Sequence, residues 1–368
     1  STAGTATVSC IPYNGFNSTV TLSGTGVPSG ATATFSQPTI QCGSTTSILT
    51  FTAGAAVSGS YTMTVSGAGG GLTRSAALSL TIQAAPVAAP ALFVPVILKS
   101  SGANNSYYTS EMTFTNRSSQ TATLRFSYTA AAGGGTGTGT ATLAAGRQLI
   151  VPDAIDYLRE RGVPIPADGN RVGTLKVAFE GVSNVGDVSV TVRTTTPVPT
   201  TAPTGAAGLA YIGVPAAKLP TGPVILAGLR RNSLDRSNIA IQNAGDSGAG
   251  NGGRRSSLIS GVPPNGAVVA GEDSDLSPGG FKQISAPDNF VGWARVERTS
   301  GTAPWYAYAV INDNFNSDGS FILPLPEATL GGTSGVTLPV ALEASVYSTE
   351  AVFANLTDQS RRVNLNFY

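Results

Sequence analysis

The chain has 368 residues, of which 45 are glycine, 23 are proline, 11% are charged and 41% are hydrophobic. That much apolar side chain fills several small cores and excludes a disordered polymer. The net charge of +1 gives no basic footprint for nucleic acid, and no apolar run reaches the length of a membrane span.

Histidine is absent. With it go the commonest general base, the commonest zinc ligand and every Ser-His or Cys-His nucleophile pair, so we expect no enzyme and no cofactor. The chain starts at Ser1, from which we expect a leader to have been removed.

Residues 1–84 alternate in strand fashion, as in Ser18-Thr-Val-Thr-Leu22, Thr46-Ser-Ile-Leu-Thr-Phe51 and Tyr61-Thr-Met-Thr-Val65. Asn14-Gly15, Pro28-Ser-Gly30, Gly54 and Gly59 punctuate them. Short strands at this spacing predict a β-sandwich of immunoglobulin size. Cys10 and Cys42 are the only cysteines. They are either one disulfide made in an oxidising compartment, the reading we favour, or two buried thiols. Residues 85–92, with Pro86 and Pro90, form a semi-extended linker.

The rest of the chain is organised around a phrase stated twice. Tyr108-Thr-Ser-Glu111-Met-Thr-Phe114-Thr-Asn116 returns as Tyr347-Ser-Thr-Glu350-Ala-Val-Phe353-Ala-Asn355. Alternation continues in register, with Leu124, Phe126 and Tyr128 answered by Val363, Leu365 and Phe367. Upstream, Val94-Pro95-Val96 is answered by Leu338-Pro339-Val340. A fainter copy runs from Gly222 to Asn243 and has Asn238 where the others have Glu111 and Glu350. These copies predict β-sandwich repeats over 93–215 and 216–330, then an incomplete third repeat over 331–368 holding only its first strands.

Later segments of the first two repeats also correspond. Val262 to Ala270 aligns with Leu143 to Val151, and Gly292 to Val296 with Gly173 to Val177. Tyr306 to Ile311 aligns with Val188 to Arg193, and Gly319 to Pro324 with Gly208 to Pro215. The run Ala130 to Thr140 is expected to be a long hairpin tip or mobile loop. One short helix is expected near 153–161, capped by Asp153 and ended by Gly162.

The segment Val27 to Ser36, followed by Gly59 to Val65, resembles immunoglobulin-like modules of secreted bacterial proteins. The later repeats are similar to β-rich modules of secreted, surface-attached bacterial proteins, through the Val-Pro-Val lead-in, the Phe-x-Asn strand end and the closing Gly, Ile and Pro. The resemblance implies an all-β fold and a secreted setting, and implies no activity.

Few constellations carry chemistry. Glu111 and Glu350 are single acids, whereas a glycosidase needs a carboxylate pair, so a structural role in a strand is expected. Asn314, Asn316 and Asp318 begin like a calcium loop but lack the twelfth-position Glu, and an Asn/Asp/Gly turn needs no metal. Lys99 is a weak candidate for a covalent link to Asn, since Glu343 replaces it in the last copy. Arg230-Arg231 and Arg254-Arg255 read as solvated faces. Trp293, Trp305, Tyr306 and Tyr308 form either a sugar platform or, the simpler reading, core filling. Asn17, Asn104, Asn116 and Asn355 sit in glycosylation sequons that chance alone supplies in so Ser/Thr-rich a chain.

The expectation is a secreted structural protein of the cell surface. It would polymerise by strand pairing when a neighbouring chain completes the partial module through Leu338, Val340, Tyr347, Phe353, Val363, Leu365 and Phe367. The alternative is a non-catalytic stalk, carbohydrate-binding or adhesion region of a larger secreted enzyme or adhesin.

Overall fold

The computed structural model describes residues 3–83, 88–103, 105–198, 205–245, 252–260, 268–330, 343–344, 347–355, 360 and 362–365. The chain is all-β with one α-helix among the described residues, and it divides into two compact units, Ser1–Ala88 and Ala89–Tyr368.

The first unit holds β1 (Gly4–Ser9), β2 (Thr19–Thr25), β3 (Thr32–Phe35), β4 (Thr39–Gln41), β5 (Thr46–Thr52), β6 (Gly59–Gly69) and β7 (Leu72–Ile82). They form two antiparallel sheets, ordered β1-β5-β3 and β4-β2-β6-β7. Alternation decides which side chains turn inward. On β2, Val20 and Leu22 are buried between exposed threonines and serine, and they pack with Ile40 and Cys42. Cys10 and Cys42 are joined in a disulfide with Cα atoms 4.8 Å apart. Closing this loop of about 30 residues contributes roughly 3–4 kcal/mol by the chain-entropy estimate.

The second unit begins with β8 (Ala91–Ser101), β9 (Tyr107–Asn116), β10 (Ala122–Ala132), β11 (Gly137–Leu143) and β12 (Arg147–Val151). It continues through α1 (Ala154–Glu160), β13 (Arg171–Glu180), β14 (Val188–Val198), β15 (Gly205–Ile212) and β16 (Val214–Pro215). Strand order is β11-β10-β13-β8-β9-β14-β15, with β12 on β9 and β16 on β8. β8 and β9 pair only at Lys99↔Thr109, Ser100↔Tyr108 and Ser101↔Tyr107, so the path folds there into two layers. Leu124, Phe126 and Tyr128 of β10 face Met112 and Phe114 of β9 inside, all but fully buried. Burying each such side chain is worth about 1.5–3 kcal/mol.

A second set follows the same plan. It comprises β17 (Val224–Arg231), β18 (Asp235–Asn243), β19 (Gly252–Ser260), β20 (Val268–Leu276), β21 (Phe281–Ser285), β22 (Phe290–Arg298), β23 (Trp305–Asp313), β24 (Gly319–Ile322) and β25 (Leu325–Pro326). Its order is β20-β19-β22-β17-β18-β23-β24, with β21 on β18 and β25 on β17, strand for strand that of the first set. A short hairpin, β26 (Glu343–Ala344) with β27 (Tyr347–Ser348), closes the described elements.

The helix forms as expected. The Asp153 carboxylate accepts from the Asp156 amide and Arg161 closes the C-terminus, while Gly162 takes a φ of +93°. Lys99 engages two carboxylates. Its ammonium lies 2.8 Å from Asp153 and 2.6 Å from Asp156, tying α1 to β8.

Two expectations are corrected. The run from Ala130 to Thr140 is mostly strand, with only 133–136 between β10 and β11. Its glycines serve close packing. A Cβ on Gly137 would lie 2.4 Å from Pro164, and one on Gly139 2.6 Å from the Arg161 carbonyl, where the chain leaving α1 crosses the strand.

The pairing also shifts three of the sequence alignments. Val188 pairs with Asn116 and Trp305 with Asn243, so Trp305, not Tyr306, corresponds to Val188. Pro215 and Pro326 pair at equivalent places on β8 and β17, so Pro326 replaces Pro324 in the correspondence. β12 pairs with β9 as β21 pairs with β18, so Phe281 stands where Gln148 does and Ile284 where Val151 does, whereas Val268 to Ala270 open β20 and residues 262–267 lie outside the described residues. A one-residue offset exchanges the two faces of a strand, which decides where the tyrosines point.

Candidate assembly site

Asn116, at the end of β9, is fully buried, and its amide donates to the carbonyls of Gln120, Leu143 and Ala144. Asn243 holds the same place on β18 and donates to the Leu276 carbonyl. The Asn of the phrase therefore locks the strand exit onto the end of β11 or β20. With its nitrogen wholly engaged, Asn116 is no glycan acceptor; Asn17 is exposed, and Asn104 lies outside the described residues.

The three copies share one register at their opening hairpin. Lys99↔Thr109, Arg231↔Arg236 and Glu343↔Ser348 are equivalent pairs. Beyond it they part. Phe114 is 0% exposed and packs against Phe126 at 5.5 Å and Tyr157 at 6.4 Å. Its counterpart Phe353 is 54% exposed, and Val363 and Leu365, the counterparts of buried Leu124 and Phe126, are 55% and 72% exposed. Residues 349–355 and 362–365 carry no strand. Tyr347 lies in β27, whereas Leu338, Val340 and Phe367 lie outside the described residues.

The first two repeats pack directly on each other. Trp305 points into the core of the second, but Tyr306 and Tyr308 project from the opposite face into the cluster that includes Phe93 and Tyr211. Tyr308 stacks on Phe321 at 4.6 Å, and Phe321 stacks on Tyr211 of the first repeat at 5.2 Å. Burial of these rings pushes the Tyr306 hydroxyl up to about 12 and the Tyr308 hydroxyl well above its ordinary value. The aromatic set is thus packing, with Trp293 half-buried on β22. Polar contacts frame the seam: Gln242 donates to the Pro95 carbonyl, and Thr174 donates to the Gly279 carbonyl at 3.1 Å.

The loop 312–319 belongs to the same seam. The Asp313 carboxylate accepts from the amides of Phe315 and Asn316, and the Asn316 side chain accepts from Asp318. The cation its oxygens surround is the Arg236 guanidinium, which donates to the Asp313 carbonyl, Asn314 Oδ1 and Ser317 Oγ. From that braced loop the Ser317 carbonyl accepts from Tyr108 and Asp318 accepts from the Gly208 amide, both in the first repeat.

Arg230 does not sit on a solvated face. It bonds Asp235 at 2.8 Å and reaches Glu350 of the third copy at 2.9 Å. Arg254 and Arg255 lie on β19. Sequence reasoning misread Arg230 as solvated and passed over Arg236 and Val352, and the outward positions of the repeated phrase were the signal available for the last. An open apolar groove of about 510 Å³ runs through the first unit, lined by Val8, Phe16, Leu22, Ile40, Val65 and Leu72. No protein-family model matches the chain, and no curated protein matches it. No helix among the described residues is long and apolar enough to cross a membrane.

Proposed function

We propose that this chain is an extracellular structural protein, a subunit of a surface fibre in which a neighbouring chain completes the third β-module. One observation carries the reading. The phrase that buries Phe114 at 0% exposure leaves Phe353 54% exposed, with Val363 and Leu365 alongside it. Apolar strand positions without covering strands are a pairing template, and strands donated by another copy both cover the side chains and extend the sheet. Such a head-to-tail contact propagates as an open fibre unless its rotation closes into a ring. The Cys10–Cys42 disulfide supports an oxidising, extracellular setting.

Electron microscopy of the purified chain together with its intact mass tests this. Fibres built of the intact 37.0 kDa chain are the expected result. Monodisperse monomers would overturn the reading in favour of a stalk or binding region.

A further inference from the structure

The seam between the first two repeats is built on a bulge. β8 breaks register with β13 between Val94 and Ile97, and the buried Pro95 carbonyl there accepts from Gln242 on the outer face of β18. Ala240, two residues back on that face, is buried in the shared cluster. β17 carries the corresponding bulge, between Leu226 and Leu229. A Cβ built on Gly228 in that bulge would lie 3.5 Å from both Cγ atoms of Val352, and Glu350 bonds Arg230 just beyond. Counted from the shared hairpin register, Val352 occupies the position of Ala240 and Ala354 that of Gln242. The third copy thus meets the second repeat through the same elements by which the second meets the first.

The outer faces differ in the way a directional array requires. At these positions the first repeat presents Thr113 and Thr115 beside Ser189, Thr191 and Arg193, a polar end. The second presents Ala240 and Gln242 beside Tyr306, Tyr308 and Val310. Polar outer faces belong to capping repeats and apolar ones to docked repeats. Val352 and Ala354 place the third copy with the docked kind.

We propose that the β17 bulge of the second repeat, with Gly228 and Arg230, is the seat of a third module that includes residues 347–355, held as the second repeat is held on the first and completed by strands of a second copy. This rests on the fibre reading for the source of those strands. The seat fixes the orientation of the completed module and so carries the repeat-to-repeat geometry from one chain into the next.

The full chain carrying Gly228→Cys and Val352→Cys tests it. The built Cβ at Gly228 lies 3.7 Å from the Val352 Cβ, within the spacing a disulfide needs. The expected result is an intramolecular bridge, read by the loss of two hydrogens in the intact mass and by peptide mapping. If chains bridge but stay monomeric, the seat stands and the fibre reading with its donated strands fails. If fibres form from chains that do not bridge, or that bridge only between chains, the seat is overturned and the fibre reading remains. Gly228 has a φ of +77°, which strains a cysteine there, so Glu350→Arg provides a second test. Chymotrypsin cleavage after Phe353 should speed up about two- to fivefold on loss of the exposed ion pair. An unchanged rate would overturn the seat.

Discussion

The Asn116 amide donates to the Leu143 carbonyl at 3.3 Å, closing the exit of β9 onto the end of β11. It also holds the carbonyls of Gln120 at 2.7 Å and Ala144 at 3.2 Å. Asn116→Ala leaves these acceptors without their donor, one of them fully buried. We predict a loss of about 2–4 kcal/mol in denaturant unfolding. Asn17→Ala, at an exposed position, should leave the midpoint unchanged.

The disulfide acts on the first unit alone. Cys10→Ser with Cys42→Ser should lower that unit's stability by about 3–4 kcal/mol. The transition of residues 89–368 should stay where it is, as followed by calorimetry.

Lys99 makes the link between β8 and α1 sensitive to pH. Its hydrogen bond holds Asp156 below the ordinary 3.8, and the carboxylates of Asp153 and then Asp156 hold Lys99 above 10.5. The carboxylate's contribution is present above pH 3.8 and lost as pH falls through its lower folded value. The ammonium's contribution is present below 10.5 and lost as pH rises through its higher folded value. For groups about a quarter to a third exposed, the total is on the order of 1 kcal/mol. Lys99→Met should therefore destabilise by that amount near neutrality, and the difference from the parent chain should shrink as the pH is taken below 3.8.

Tyr308 joins the repeats through Phe321. Tyr308→Ala should cost about 3–5 kcal/mol, the usual loss for a buried aromatic. Because the lost contact lies between modules, the single thermal transition expected of residues 89–368 should split in two.

The exposed phrase and the buried one should respond in opposite ways. Phe353→Asp and Leu365→Asp should shift unfolding by less than about 0.5 kcal/mol and abolish fibres in micrographs. Phe114→Asp, which places a charge in a closed core, should leave the repeat unfolded by circular dichroism.

Strand alternation, the capped helix and the repeated phrase were readable from side-chain order, because period-two burial and capping are local. The faces of β23 were not. Trp305, Tyr306 and Tyr308 all read as apolar strand residues, and the pairing with β18 alone decides that Trp305 points into its own module and the tyrosines toward the neighbour. The loop at 312–319 misled for a related reason. Its oxygens converge on a cation, but the cation is Arg236, which is 77 residues earlier than Asp313 and arrives only through tertiary structure.

By itself the sequence determined an all-β chain with one helix and a phrase used three times, since these follow from the order of apolar and turn residues. Only the tertiary structure decided what each copy does. Identical chemistry at Phe114 and Phe353 ends as 0% and 54% exposure, because burial depends on which strands reach a side chain, and the strands that cover Phe114 lie far from it in sequence.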